Sequence, residues 1–141
     1  MFERPLRIRY FTLTEANTAL RELRPIIDRL TEHTGQIREL LLFLREPDNV
    51  NEQTRHEAQR EVESLRKEVK DIVETVAEQG IEVKGLSPLL LDFPGLRNGQ
   101  EALLCWKEGE SVLAWWHHLN TGFAGRQPLA AEDGGAWEWC N

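Results

Sequence analysis

The sequence predicts an α+β fold: a long antiparallel helical hairpin followed by a small antiparallel β-meander of three or four strands. Three observations carry this. Apolar residues from Leu13 to Leu44, and again from Ala58 to Val76, recur in steps that alternate three and four. After Gly80 the period changes to short alternating or continuous apolar runs. Asn98-Gly99 then stands between two such runs, where a tight β-hairpin turn belongs.

The first helix starts at Thr12, whose hydroxyl can cap it. Glu15 can reach back to the cap, and Phe11 can pack on the first turn. Its seam runs Leu13, Ala16, Leu20, Leu23, Ile27, Leu30, Thr34, Ile37, Leu41 and Leu44. Pro25 interrupts it. A proline inside a helix removes a hydrogen bond and clashes with the preceding turn, costing about 3 kcal/mol or more, so a kink or break is expected there. Gly35 weakens the helix further along. The polar stretch 45–51 makes the turn of the hairpin. The second helix carries a seam of Ala58, Val62, Leu65, Val69, Ile72 and Val76, with Glu63 and Lys67 spaced as a helix-face ion pair. Gly80 is placed to end it.

At the hairpin tip, Leu40, Leu42 and Phe43 lie beyond the seam, and the facing start of the second helix is nearly all polar. A second copy of the chain can cover that apolar width, which points to a homodimer built as a four-helix bundle. Burying three such side chains contributes roughly 5–8 kcal/mol at most, before the cost of association.

Beyond Gly80, residues 81–85 alternate. Residues 88–95 form an apolar run ended by Pro94-Gly95. Residues 101–107 and 111–116 read as the strands that follow. One face of this meander is expected to lie on the base of the hairpin. The helical part (12–80) and the strands with their closing loop (81–129) each lack a complete core. They are therefore read as one domain, with a loosely ordered tail at 130–141.

With 141 residues, 40% of them hydrophobic and 29% charged, the chain is of globular, single-domain size. A net charge of -7 disfavours nucleic acid as a partner, and the basic residues Arg4, Arg7 and Arg9 are too few to reverse that. No run approaches membrane-spanning length and no signal-peptide core precedes Thr12, so the expected location is the cytoplasm, without membrane contact. The two cysteines, Cys105 and Cys140, form no zinc or disulfide signature. No phosphate loop, nucleophile elbow or His-Glu-x-x-His motif occurs, and the sequence leaves any cofactor unknown.

Candidate site residues gather near the end of the sheet. His117 and His118 are adjacent, so on an extended segment they face opposite ways and only one can join a given site. Asp92 stands in an apolar run, where it can orient a histidine or cap a turn. Arg126 and Gln127 follow Gly122-Phe123-Ala124-Gly125. The glycines permit close approach to a ligand, and the arginine fork suits carboxylate or phosphate, although a structural ion pair serves equally well. Cys105, beside Trp106 in a strand, reads as a buried inert thiol; with one face of that strand buried, the two cannot both be inside. His33 and His56 read as solvated helix residues.

The segments Arg9–Pro25, Leu89–Glu110 and Trp115–Leu129 together resemble a prokaryotic family known as domain-of-unknown-function family 2203, over roughly residues 9–129. The resemblance implies no activity. In the family's closing segment Trp-His-Glu is followed shortly by another acid. His117 matches that histidine, while His118 and Asn120 stand at the acidic positions. A metal held through those acids would here be lost, or rebuilt on His118.

The expected function is a non-catalytic, self-associating binding module. The alternative is a small-molecule-binding protein or hydrolase, with or without a metal, with Asp92, His117 and Arg126 converging at the sheet end. In that alternative His117 is the base, Asp92 its orienter and Arg126 the anion clamp. A metal held by Asp92, His117 and His118 is the weakest of these readings.

Overall fold

The computed structural model describes residues 8–46, 51–129 and 135–137. Arg4, Arg7, Trp139, Cys140 and most of the expected tail lie outside them. The class is α+β, with helices first and an antiparallel sheet after them. Among the described residues the counts differ from the sequence expectation: three α-helices and five strands.

The extra helix comes from Pro25. Helix α1 (Leu13–Glu22) begins on the expected capping box: Glu15 N–H donates to Thr12 Oγ1 at 3.0 Å and Thr12 N–H donates to Glu15 Oε1 at 2.9 Å. It ends at Leu23. Helix α2 (Arg24–Leu44) restarts with Pro25 in its first turn, where the missing N–H has no intrahelical partner to lose. Helix α3 (Glu52–Glu78) is capped by Asn51, whose Oδ1 accepts from Thr54 N–H at 2.8 Å. Gly80, at φ 88°, closes it.

The chain divides into two compact units, one of residues 25–75 and the other of residues 1–24 with 76–141. The first is the helical hairpin. His33 on α2 meets Glu68 on α3 at 2.9 Å, and Arg55 donates to the Leu44 carbonyl at 3.1 Å. These pairings run in opposite chain directions, as an antiparallel hairpin requires. The seam residues Ile27, Leu30, Ala58, Val62, Leu65, Val69 and Ile72 are buried. At the tip, Leu41, Leu42 and Phe43 are exposed and Leu40 is half-buried.

The second unit holds the sheet, in the order β1 (Glu82–Leu86), β2 (Leu89–Arg97), β3 (Gln100–Lys107), β4 (Trp115–His117) and β5 (Gln127–Pro128). The β2–β3 turn is Asn98-Gly99, both at positive φ (50° and 83°), the conformation that favoured their selection. Strand β2 runs through Pro94-Gly95 instead of ending there. Pro94 lies past the last residue that pairs with β1, so its missing N–H breaks no ladder bond on that side, and its carbonyl accepts from Phe11 N–H at 2.7 Å. Strand β4 is shorter than the expected 111–116, because Leu113 N–H bonds to Asn17 Oδ1 at 3.1 Å and leaves the ladder.

Register assigns the faces. Leu91, Phe93, Leu104, Trp106 and Trp116 share one. Phe11 packs edge-on to Phe93 at 5.4 Å, Arg24 lies over Trp106 and Trp137 meets Trp116 at 6.0 Å. Trp137 belongs to a short turn (Gly135–Trp137) and is fully buried, so this part of the tail docks. The opposite face carries Leu90, Asp92, Leu103, Cys105, Trp115 and His117. Both faces are covered, so Cys105 and Trp106 are each 1% exposed, contrary to the one-sided expectation. No helix among the described residues is long and apolar enough to cross a membrane.

Candidate functional site

Asp92 and Cys105 are direct cross-strand partners on β2 and β3, and His117 on β4 stands two residues along the same face. This register brings a carboxylate, a thiol and an imidazole together, with one ligating atom of each within 4.8 Å of the others. All three are buried: Asp92 3%, Cys105 1% and His117 2% exposed. Pairing on both sides holds β3, and the neighbouring Leu103 and Leu104 are equally buried.

The two nitrogens of His117 have different partners. Nδ1 lies 2.7 Å from the His118 carbonyl oxygen, and because a carbonyl only accepts, Nδ1 carries a hydrogen and donates. Nε2 lies 3.1 Å from Asp92 Oδ2. A neutral ring with its hydrogen on Nδ1 would turn a bare lone pair on Nε2 toward a carboxylate. Two acceptors at that distance require a proton or a cation between them. Burial pulls the imidazole pKa down, but hydrogen bonds to Asp92, Cys105 and the His118 carbonyl, with the Asp92 charge, outweigh it and raise the pKa from 6.5 to about 10. Without a cation His117 is therefore imidazolium at neutral pH.

The cluster forms the floor of a pocket of about 240 Å³. Leu90, Leu103, Leu119 and Phe123 supply apolar walls, and Lys84 and Gly122 complete the lining. Lys84 is ion-paired with Glu82 at 2.9 Å. The loop after β4 folds back over this face. Gly122 adopts φ 63° and ψ -166°, a conformation that L side chains avoid, and any side chain on Gly125 would run into Thr121. The two glycines thus shape the roof that seats Phe123.

Arg126 holds that roof down. Its Nη2 meets both Glu110 carboxylate oxygens, at 2.7 and 2.9 Å, and donates to the Cys105 carbonyl at 3.2 Å. The guanidinium lies 4.9 Å from the Trp115 ring centroid and 4.8 Å from that of Phe123. Its Nη2 is engaged with protein groups while its buried Nε has no hydrogen-bond partner, and the residue does not line the pocket. Gln127 is exposed and pairs with Trp116 on the other face. His118 is also exposed and packs edge-on to Trp116 at 4.8 Å. The structure therefore brings Asp92 and His117 together, as the alternative reading expects, but gathers neither Arg126, Gln127 nor His118 with them. With both ring nitrogens engaged, His117 is also not placed as a free general base.

Cys105 is the member that sequence reasoning set aside. The signal was present in the strand period: pairing a strand at 89–97 with one at 100–107 through Asn98-Gly99 puts residues whose numbers sum to 197 opposite each other. Asp92 and Cys105 fulfil that sum.

Fold and pocket define the class: an α+β protein with a buried Asp–Cys–His cluster on one sheet face, roofed by the loop that follows. The chain belongs to the DUF2203 family, a prokaryotic domain of unknown function, whose model, described as "Uncharacterized conserved protein (DUF2203)", matches residues 9–129. No curated protein and no solved structure matches the chain. His118 and Asn120, where the resemblance implied acids, are both exposed. The side-chain partners of His117, Asp92 and Cys105, come from β2 and β3.

Proposed function

We propose that the protein binds a small molecule in the pocket over Asp92, Cys105 and His117. The observation that carries this is the buried 3.1 Å contact between His117 and Asp92 at the floor of an apolar-walled cleft. A few convergent polar groups beneath apolar walls are the usual make-up of a ligand site. The volume of about 240 Å³ falls below the roughly 300–1,000 Å³ of drug-sized pockets, so the ligand is small. Leu90, Leu103, Leu119 and Phe123 suit a short branched or cyclic body, and the floor takes its polar head. Hydrolysis through a free His117 base and an Arg126 clamp fits less well, because hydrogen bonds already engage both groups.

Protein-observed NMR of the amide-labelled chain tests this with three probes of one body and different heads: isobutyrate, isobutylamine and isobutanol. At least one is expected to shift amides of Leu90, Leu103, Leu119, Gly122 and Phe123 together, and saturably. Absence of such shifts from all three at tens of millimolar, or shifts only elsewhere, would contradict the proposal.

A second reading has its own observation. Leu41, Leu42 and Phe43 are 38%, 54% and 38% exposed at the hairpin tip. That is the apolar surface expected of a chain that pairs with a second copy of itself, and self-association is compatible with ligand binding at the sheet.

A further inference from the structure

We propose that Asp92, Cys105 and His117 bind a divalent transition-metal ion of the zinc class, with one coordination position left open toward the pocket. The donor set is one imidazole nitrogen, one sulfur and one carboxylate oxygen. This mixture suits borderline-soft ions such as zinc and excludes magnesium and calcium, which take oxygen. Around a tetrahedral zinc, with bonds of about 2.0–2.3 Å, ligand atoms stand roughly 3.3–3.8 Å apart. Nε2 and Oδ2 already stand 3.1 Å apart, and the three ligand atoms lie within 4.8 Å of one another. The widest gap closes by about 1 Å, a small side-chain rotation from three different strands.

Three further features point the same way. The hydrogen bond from Nδ1 to the His118 carbonyl fixes the tautomer that leaves Nε2 as a ligand, the arrangement that supports metal-bound histidines in general. The lone pair of Nε2 faces a carboxylate, so a cation resolves their repulsion as well as a proton does. Beside a proton Cys105 is only a hydrogen-bond partner of the imidazolium, whereas a metal takes its sulfur as a ligand. Finally, a divalent ion with one thiolate and one carboxylate is neutral overall, which suits a floor whose members are at most 3% exposed. Three protein ligands with a fourth position facing a pocket is the pattern of catalytic zinc, where a structural zinc has four. The group that reaches the open position is then a water, or the carboxylate, thiol or other donor head of the bound molecule.

Cobalt(II) titration of the full, untagged, metal-free chain tests this without any organic ligand. Failure here leaves ligand binding by the pocket standing, and failure of the NMR experiment leaves the metal site standing. One cobalt per chain is expected, with a sulfur-to-cobalt charge-transfer band in the near ultraviolet and d–d bands of tetrahedral intensity in the visible; one equivalent of zinc should abolish both. Cys105→Ser should remove the charge-transfer band, and Cys140→Ser, at the only other thiol, should retain it. Asp92→Asn should weaken zinc by about 100-fold or more, beyond the 10–100-fold typical of losing an outer-sphere partner. Far-ultraviolet circular dichroism establishes that each variant is folded. The wild-type titration needs no variant: no cobalt binding, or binding without the sulfur band, overturns the proposal, as does a band that disappears in Cys140→Ser.

Discussion

Replacing the partners of the His117–Asp92 pair one at a time, and then together, measures what holds the site in the metal-free protein. The side chains are 2% and 4% exposed, so water screens neither, and the small values typical of surface ion pairs do not apply. Removing one partner of a buried pair typically costs about 3–5 kcal/mol, because the other is left charged and unpaired, or gives up its charge and keeps an unsatisfied nitrogen. Asp92→Val and His117→Leu are each expected to fall in that range at pH 7 with chelator present. Replacing both partners by apolar groups is often near neutral, so the double variant should cost no more than about 2 kcal/mol. Urea denaturation read by tryptophan fluorescence is the assay. All five tryptophans follow residue 76 in the sequence, and the four described ones, Trp106, Trp115, Trp116 and Trp137, lie in the sheet unit, so the signal reports that unit. At a slope of about 2 kcal/mol per molar, each single change moves the midpoint by roughly 1.5–2.5 M. A double variant that costs the sum of the singles, or singles below about 1 kcal/mol, would refute the reasoning, since the pair would then not be coupled.

Three other outcomes follow from the structure. The His117 pKa is raised, so its contribution to the metal-free protein is full below pH 6.5 and is lost as pH rises through about 10. Relative to His117→Gln, wild-type stability should fall by about 1.4 kcal/mol per pH unit between those limits in urea titrations, and a difference that grows with pH contradicts the assignment. Gly95→Ala would bring a methyl group 2.9 Å from the Trp137 ring and the Phe11 carbonyl, so about 1–3 kcal/mol of stability should be lost, with a red-shifted tryptophan emission as Trp137 undocks; an unchanged spectrum and midpoint count against that docking. Leu42→Glu with Phe43→Glu, at exposed positions, should change monomer stability by no more than about 0.5 kcal/mol per site yet halve the mass seen by light scattering; a wild-type chain already monomeric at micromolar concentration removes the self-association reading.

The helices and the β2–β3 turn were largely legible because periodicity, caps and turn chemistry are local. Thr12, Glu15, Asn98-Gly99 and Gly80 act through their own chemistry within a few residues, and each has the role its sequence context indicates. Pro25 marked the break, though whether it kinks or divides the helix depends on where the next turn starts. The strands were less legible. The Pro94-Gly95 pair reads as a terminator, but β2 continues through it because the proline's missing N–H falls on a side without a partner strand. The site was half legible. Asp92 and His117 stood out as polar residues in apolar surroundings, whereas Cys105 looked like core because a thiol in a strand has no local mark of function. Its role follows only from register, which sets it opposite Asp92. Arg126 misled for the opposite reason: the glycine framing that suggests a ligand loop builds the roof, and the arginine pins that roof to Glu110.

Asp92, Cys105 and His117 are proposed to form one site with a cation's place among them. Anomalous diffraction at the zinc edge, from crystals of zinc-loaded protein, tests it most directly. The expected result is a peak about 2.0–2.3 Å from His117 Nε2, Cys105 Sγ and an Asp92 carboxylate oxygen, with a fourth position open to the pocket. A peak at other residues, or no peak while His117 and Asp92 stay in direct contact, would contradict it.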